Sequence, residues 1–357
     1  MIHPFEKTRR AIVRAYTHFK PSVEESLRAQ RALEDGAARV EPPNFRVTQD
    51  TQHVKANDGT KLLLRIFTPR TLEFSRETGV EIAQTWRGTI LFFHGGGWVS
   101  GTTELYADAL ADLAHATERR VVAVEYRRAP EHRFPVAAED CYLVARELFT
   151  GRILDDVDPN KIVIMGDSAG GNLAAVVSLM ARDRGDFSPK NQVLIYPALN
   201  NDYGPDSPFY SVHANGKDFM LTAKDMVDYV ELYASRAEDL ENPYFAPLLE
   251  KDNTNLPRTL IISAELCPLR DEDEHYAHLL DEAQNKVESF RVLSAMHGYL
   301  LSPVAAETIQ NTYRILAYFL DGTSLPAQKH YKNFFRGDYG WLHLDPKTTE
   351  PLPERTS

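Results

Sequence analysis

The sequence KIVIMGDSAGGNLAA, residues 161–175, decides the expected fold, because an apolar strand runs through a glycine-rich corner into a helix of small residues. Its centre, GDSAG at residues 166–170, matches the pattern G-x-S-x-G, in which the glycines permit a strained turn that exposes the serine hydroxyl. The bare pattern also occurs in ordinary Gly/Ser loops. With a strand directly before it and a helix directly after it, the pattern indicates a nucleophile elbow, and Ser168 is predicted to be a catalytic nucleophile.

Composition argues against several classes of function. The 357 residues include 40 Lys and Arg against 51 Asp and Glu, a net charge of -11 without a basic block, so nucleic acid is not expected as a partner. No secretory leader and no apolar run near the ~18 residues of a membrane span are visible, which predicts a soluble, cytoplasmic protein. The two cysteines, Cys141 and Cys267, suit a reducing compartment and belong to no zinc-like cluster.

Apolar strands alternate with helical stretches from residue 89 onward. This alternation predicts an α/β fold with a mainly parallel central sheet and helices on both faces. Before it, Asp58-Gly59 predicts the turn of a hairpin. We expect three segments: an N-terminal helical cap segment at 1–50, a core at 51–322 that carries a cap insertion at about 200–245, and a C-terminal tail at 323–357.

A serine nucleophile needs N–H donors for the oxyanion and a base for its proton. The sequence HGGGW at 94–98 follows a strand, and its bare backbone N–H groups, with that of Ala169, would form an oxyanion hole. The alternatives are a flexible loop or a phosphate-binding loop, although the latter would need a helix start with Lys-Ser/Thr.

The base should follow the serine if the chain order is serine, acid, histidine. His275 and His278 lie in an acidic helical run, where a solvated face explains them. His297 lies in a loop between a strand-like segment and the last helix, so it is the predicted base.

Several motifs together carry a resemblance to a known family: HGGGW at 94–98, YRRAPEHRFP at 126–135, GDSAGGNLAA at 166–175, PLRDE at 268–272 and HG at 297–298. Over about residues 57–320 the chain resembles the hormone-sensitive-lipase-like family of α/β-hydrolase carboxylesterases. The resemblance implies an α/β-hydrolase fold with a helical cap and no metal or organic cofactor. It also implies Ser168 as nucleophile, His297 as base, and Gly96, Gly97 and Ala169 as oxyanion donors.

Cys267 departs from the family pattern, because the carboxylate of the triad belongs at this position. Loss of the acid in comparable triads costs on the order of 10⁴ in kcat, about 5 kcal/mol. Glu265 or Asp271 could replace it, although a helix N-cap would also explain Asp271. Three further alternatives remain. A thiol or a water molecule supports His297 in a slow enzyme, or hydrolysis has been lost and the pocket binds a ligand. The third is that Cys267 was introduced by engineering.

The sequence therefore predicts a serine carboxylesterase that hydrolyses small to medium esters through an acyl-enzyme. The alternative is an impaired or non-hydrolytic homologue that binds a small ligand. Trp98, Phe219, Met220 and Leu221 are candidate walls of the substrate pocket, with core packing as the alternative for each. No motif decides the oligomeric state, and a homodimer is left open.

Overall fold

A computed structural model of the protein describes residues 4–34, 46–70, 86–323, 325, 331–333 and 337–351. The remaining parts of the N-terminal segment and of the C-terminal tail lie outside the described residues. The strands are β1 (Val47–Lys55), β2 (Lys61–Pro69), β3 (Thr89–Phe93), β4 (Arg120–Glu125), β5 (Ile162–Asp167), β6 (Asn191–Ile195), β7 (Arg258–Ala264), β8 (Val287–Val292), β9 (Tyr331–Asn333), β10 (Gly337–Tyr339) and β11 (Trp341–Leu344).

Two α-helices of the described residues precede the first strand, and the others lie between later strands. The helices are α1 (Pro4–Phe19), α2 (Val23–Glu34), α3 (Ala107–Thr117), α4 (Val136–Phe149), α5 (Ala169–Arg184), α6 (Tyr210–Asn215), α7 (Ala223–Tyr233), α8 (Arg270–Glu282) and α9 (Ala306–Asp321). None of the helices in the described part of the chain combines the length and apolar composition needed to cross a bilayer.

Nine of the described strands form one sheet in the order β1-β2-β4-β3-β5-β6-β7-β8-β11. Neighbours from β4 to β8 are parallel, and every residue of β3 and of β5 is buried. Parallel strands that are covered on both faces read as continuous apolar runs, which explains the sequence pattern. The predicted fold class is confirmed, and so is the hairpin, in which Lys55 pairs with Lys61 around a turn at Asp58-Gly59.

The direction in which the chain adds strands to the sheet reverses at β3. From β3 the chain crosses through α3 to β4 on one side, and it then returns through α4 to β5 on the other side. Because such crossovers are right-handed, α3 and α4 lie on opposite faces. The carboxyl ends of β3 and β5 are adjacent, with Phe93 opposite Gly166, and ligands of open α/β sheets bind at such a reversal.

The first helix is attached to the segment between β6 and β7. The backbone N–H of Met220 donates to the Thr17 hydroxyl (3.1 Å), and the ammonium of Lys20 donates to the Met220 carbonyl (2.6 Å). Lys20 also forms an ion pair with Asp225, and Arg14 forms one with Asp218 (2.8 Å). These bonds connect the N-terminal helices to the insertion that sequence analysis placed at about 200–245.

Strand β11 comes from the segment expected to be a C-terminal tail. It pairs antiparallel with β8 and places Trp341 opposite Val292. Trp341 and Leu344 are buried, so this part of the tail belongs to the central sheet. Strand β11 is four residues long and comes after the last helix, so the alternation of strands and helices gave no signal for it.

We expect Trp341→Ala to lower the free energy of unfolding by about 3–5 kcal/mol, since it removes a buried aromatic side chain from the sheet edge. Val304→Ala is the matched control, because Val304 is 89% exposed and such truncations change stability by less than about 0.5 kcal/mol. Urea unfolding at 25 °C measures both. Equal stabilities of the two variants would contradict a structural role for β11.

Candidate active site

Ser168 lies between β5 and α5 in a backbone conformation that L-residues rarely adopt, with φ 56° and ψ −123°. The turn is tight: a Cβ on Gly166 would lie 2.1 Å from the Gly170 carbonyl oxygen, and one on Gly170 would lie 2.0 Å from the Phe93 carbonyl oxygen. Only glycine fits either position without a shift of the backbone. The two glycines of the pattern thus have a steric cause, and the turn presents the hydroxyl of Ser168 above the sheet.

A chain of three side chains begins at Ser168. Its Oγ lies 2.8 Å from Nε2 of His297, and Nδ1 of His297 lies 3.2 Å from Sγ of Cys267. Sγ also accepts the backbone N–H of Leu269 (3.4 Å). The structure therefore brings together the predicted nucleophile, the predicted base and the cysteine at the position of the expected acid.

Neither predicted substitute acid bonds to His297, since both ring nitrogens have other partners. The Glu265 carboxylate accepts the backbone N–H of Ser294 (2.6 Å), and Asp271 accepts that of Ser211 (2.7 Å). Nor does Asp271 cap α8 as expected, because the helix begins at Arg270 and Leu269 occupies the N-cap position. Both substitutes suggested by sequence spacing are wrong as hydrogen-bond partners of His297, because Glu265 bonds to the loop after β8 and Asp271 bonds to the start of α6.

Burial controls the protonation of the site. Burial, together with a smaller contribution from the charge of Lys20, lowers the pKa of His297 to about 3. Burial also raises the pKa of the Cys267 thiol well above its usual range, and the carboxyl group of Asp273 adds to this effect. At neutral pH the thiol is protonated and the imidazole is neutral, so the histidine has a free lone pair with which to accept a proton.

The glycine loop after β3 lies beside the serine. Gly96 and Gly97 have φ values of 124° and 60°. No residue in the described ranges accepts a hydrogen bond from the backbone N–H groups of Gly96, Gly97 or Ala169. A Cβ on Gly97 would lie 2.4 Å from the ring of Tyr229, which covers the loop. These three backbone N–H groups thus remain without an acceptor among the described residues.

Asp167 holds this loop in place, and sequence analysis did not assign it a role. Its carboxyl group accepts the backbone N–H of Gly95 (2.9 Å) and the hydroxyl groups of Tyr106 (3.0 Å) and Tyr196 (3.3 Å). Tyr196 in turn accepts the N–H of Leu300 (3.4 Å), in the loop that carries His297. Burial raises the pKa of Asp167 to about 7. The only signal in the sequence for this role was that Asp167 directly precedes Ser168.

The predicted pocket walls differ in their surroundings. Trp98 is fully buried and its ring stacks on Tyr233 (4.7 Å between centroids), so the structure supports the core-packing alternative for it. Phe219 and Leu221 are largely buried, and Met220 is 40% exposed.

His, Cys, Asp and Glu side chains of the described ranges form no group of three or more that could hold a metal ion.

Comparison with known proteins gives consistent matches. A family profile described as "alpha/beta hydrolase fold" matches residues 90–301. An arylesterase of Saccharolobus solfataricus is 36% identical over 246 residues, 68% of this chain and 74% of that protein. Esterase LipI of Mycobacterium tuberculosis is 31% identical over 85% of this chain and 92% of its own. The solved structure of a Pyrobaculum calidifontis esterase has a TM-score of 0.72 and 33% sequence identity. The match covers 90% of this chain and 99% of that esterase.

The fold and these relatives define a class of enzymes, the carboxylic ester hydrolases that are built on a mostly parallel sheet. Within this class the chain belongs to the hormone-sensitive-lipase-like family of α/β-hydrolase carboxylesterases. The family predicted from the motifs is confirmed.

We expect Gly97→Ala to lower kcat for an ester by about 10²-fold or more, the effect of losing an oxyanion donor, because the added Cβ collides with Tyr229 and displaces the loop. The control is Gly151→Ala, since Gly151 has a φ of 70° but no neighbour within 4 Å of an added Cβ. This control carries the same backbone strain without the collision. Similar kcat values for the two variants would contradict the role of the loop.

Proposed function

We propose that the protein is a serine carboxylesterase that hydrolyses small to medium esters, with Ser168 as nucleophile and His297 as base. The observation that carries the proposal is the 2.8 Å contact between Ser168 Oγ and His297 Nε2. The names of its relatives, among them arylesterase, carboxylesterase and ethyl acetate hydrolase, support a small ester as substrate.

In this mechanism Nε2 of His297 accepts the proton of Ser168 while Oγ attacks the acyl carbon. The N–H groups of Gly96, Gly97 and Ala169 stabilise the oxyanion of the tetrahedral intermediate. His297 then donates its proton to the departing alkoxide, and an acyl-enzyme remains. Water, deprotonated by the same imidazole, hydrolyses the acyl group and regenerates Ser168.

Cys267 replaces the acid as the partner of Nδ1. A carboxylate would fix the tautomer of His297 and stabilise the imidazolium, whereas a neutral thiol is a weak hydrogen-bond partner and carries no charge. The low pKa of His297 agrees with this arrangement, since no anion beside the ring compensates for burial. We therefore infer a slow enzyme whose oxyanion donors supply much of the rate.

We further propose that helices α1 and α2 and the segment at about 200–245 form a cap over the pocket. The bonds from Thr17 and Lys20 to Met220 support this arrangement, because they connect the N-terminal helix to the insertion. The charge of Lys20, which directly follows α1, contributes to the lowered pKa of His297, and this supports a position of the end of α1 near the site. The extent of the cap would set the size of the acyl and alcohol groups accepted.

A second candidate is a homologue that binds a small ligand without useful turnover. One observation favours it: a thiol, not a carboxylate, lies at Nδ1 of His297. The two candidates differ in whether turnover of an ester depends on Ser168.

For hydrolysis of p-nitrophenyl butyrate, we expect Ser168→Ala to abolish activity and Cys267→Asp to raise kcat by about tenfold or more, up to the ~10⁴ that a triad acid supplies. Cys267→Asn is the matched control, because it has the shape of aspartate without its charge. A native enzyme that equals Ser168→Ala, combined with a large gain in Cys267→Asp, would identify the ligand-binding alternative.

The low pKa of His297 predicts an unusual pH dependence. A base must be unprotonated, so activity falls only below its pKa, and kcat/KM of the native enzyme should be nearly constant from pH 8 down to about 5. In Cys267→Asp the new carboxylate favours the imidazolium, so the acid limb should move up towards the ordinary histidine value of about 6.5.

The two profiles are measured in the same buffers, with circular dichroism at each pH as the control for unfolding. This control is needed because a histidine with a lowered pKa in the folded state costs stability as the pH falls below about 6.5. An acid limb near 6.5 in the native enzyme would show that another anion serves His297.

A further inference from the structure

Tyr196 is a buried residue with a strained backbone, and it packs against the loop that carries His297. Its exposed fraction is 0%, and its φ is 36°, in the left-handed region that residues other than glycine rarely adopt. Such strain persists only where the surroundings determine it, and it is concentrated at functional sites. Tyr196 takes no part in the proton transfers proposed above, so its strained position indicates a different role.

Tyr196 contacts three residues of that loop. Its ring packs against the imidazole of His297 (4.8 Å between centroids) and meets the ring of Tyr299 edge-on (5.0 Å between centroids). Its hydroxyl oxygen accepts the backbone N–H of Leu300 (3.4 Å). The tyrosine therefore restrains both the face of the imidazole and the backbone that follows it.

Hydrogen bonds hold Tyr196 at its backbone and at its hydroxyl. The backbone N–H donates to the Ile262 carbonyl of β7 (2.7 Å), and the hydroxyl donates to the Asp167 carboxyl group (3.3 Å). Burial raises the pKa of the Tyr196 hydroxyl well above its usual range, so the hydroxyl keeps the proton that it donates. Because Asp167 ends β5 directly before Ser168, Tyr196 connects the loop of the base to the turn of the nucleophile.

The thiol at Nδ1 of His297 makes such a restraint necessary. A carboxylate holds an imidazole through a charge-assisted hydrogen bond, which is about twice as strong as a neutral one. The Cys267 thiol is protonated and a weak hydrogen-bond partner, and its Sγ lies 3.2 Å from Nδ1. The imidazole therefore needs a second restraint to keep Nε2 at 2.8 Å from Ser168 Oγ.

We propose that Tyr196 is a positioning residue that holds the imidazole of His297 against Ser168, in place of the restraint that a triad carboxylate supplies. The ring contact limits the tilt of the imidazole. The hydroxyl bonds to Leu300 and Asp167 fix the loop of His297 relative to β5. Tyr196 makes and breaks no bond of the substrate, so it acts on kcat through His297. This inference rests on the proposed function, because it takes His297 as the base.

The test is a double-mutant cycle of Tyr196→Phe and Cys267→Asp, assayed with p-nitrophenyl butyrate. In the native background Tyr196→Phe should lower kcat about tenfold, the effect of losing a hydrogen bond of ordinary strength. KM should be unchanged, because Tyr196 is fully buried. In Cys267→Asp the loss should be smaller, since the new carboxylate orients the imidazole. The two losses should differ by more than the roughly twofold deviation that independent sites show.

Tyr106→Phe is the matched control. The Tyr106 hydroxyl is also buried and also donates to Asp167 (3.0 Å), but its ring lies against Phe92 and His94. Any loss of kcat in this variant should therefore be the same in both backgrounds. An equal loss for Tyr196→Phe in both backgrounds, or a change of KM without a change of kcat, overturns the proposal.

Crystal structures of the variants supply a readout that does not depend on turnover. We expect a shifted or second position of the imidazole in Tyr196→Phe, and a single position at hydrogen-bond distance from Ser168 when Cys267→Asp is added. An imidazole that stays in place in Tyr196→Phe overturns the proposal. A native enzyme no faster than Ser168→Ala overturns the proposed function instead, while the structures still decide whether Tyr196 holds His297.

Discussion

The close contact of backbones at the end of β5 is the constraint on which the site depends. Gly170 lies against the Phe93 carbonyl of β3, and this contact forces the turn that holds Ser168 at positive φ. Such conformations cost about 1–3 kcal/mol and persist only where the surroundings determine them. Here the N–H of Ser168 donates to Ile195 of β6 and its carbonyl accepts the N–H of Ala198. Three neighbouring strands thus hold one strained residue.

The polar groups around His297 explain its electrostatics. One edge of the ring meets Ser168 and the other a neutral thiol, while the ring of Tyr196 packs against it at 4.8 Å between centroids. The carboxyl group of Asp167 is nearby, but it binds the tyrosine hydroxyl groups and the glycine loop. The carboxyl group of Asp167 therefore supports the loop and the tyrosines, and the side chains that contact the imidazole directly, Ser168, Cys267 and Tyr196, carry no charge at neutral pH.

Local patterns allowed the sequence to predict the α/β fold and Ser168, because a strand, a glycine corner and a helix are contiguous. Chain order and a loop position then indicated His297. Contacts between distant residues that no motif marks were out of reach. Trp98 meets Tyr233 only through the fold, and Asp167 meets Tyr106 in the same way. Glu265 and Asp271 lie near Cys267 in the sequence, yet proximity along the chain does not fix the direction of a side chain.

Strand β11 also affects how copies of the protein can meet. An open strand at a sheet edge offers unpaired N–H and C=O groups to another chain, and natural proteins limit this hazard with short or covered edges. Here β8, the last parallel strand, is paired with residues 341–344 of its own chain. The edge strand on that side of the sheet is β11, which is only four residues long. It therefore offers few backbone groups with which a second molecule could extend the sheet.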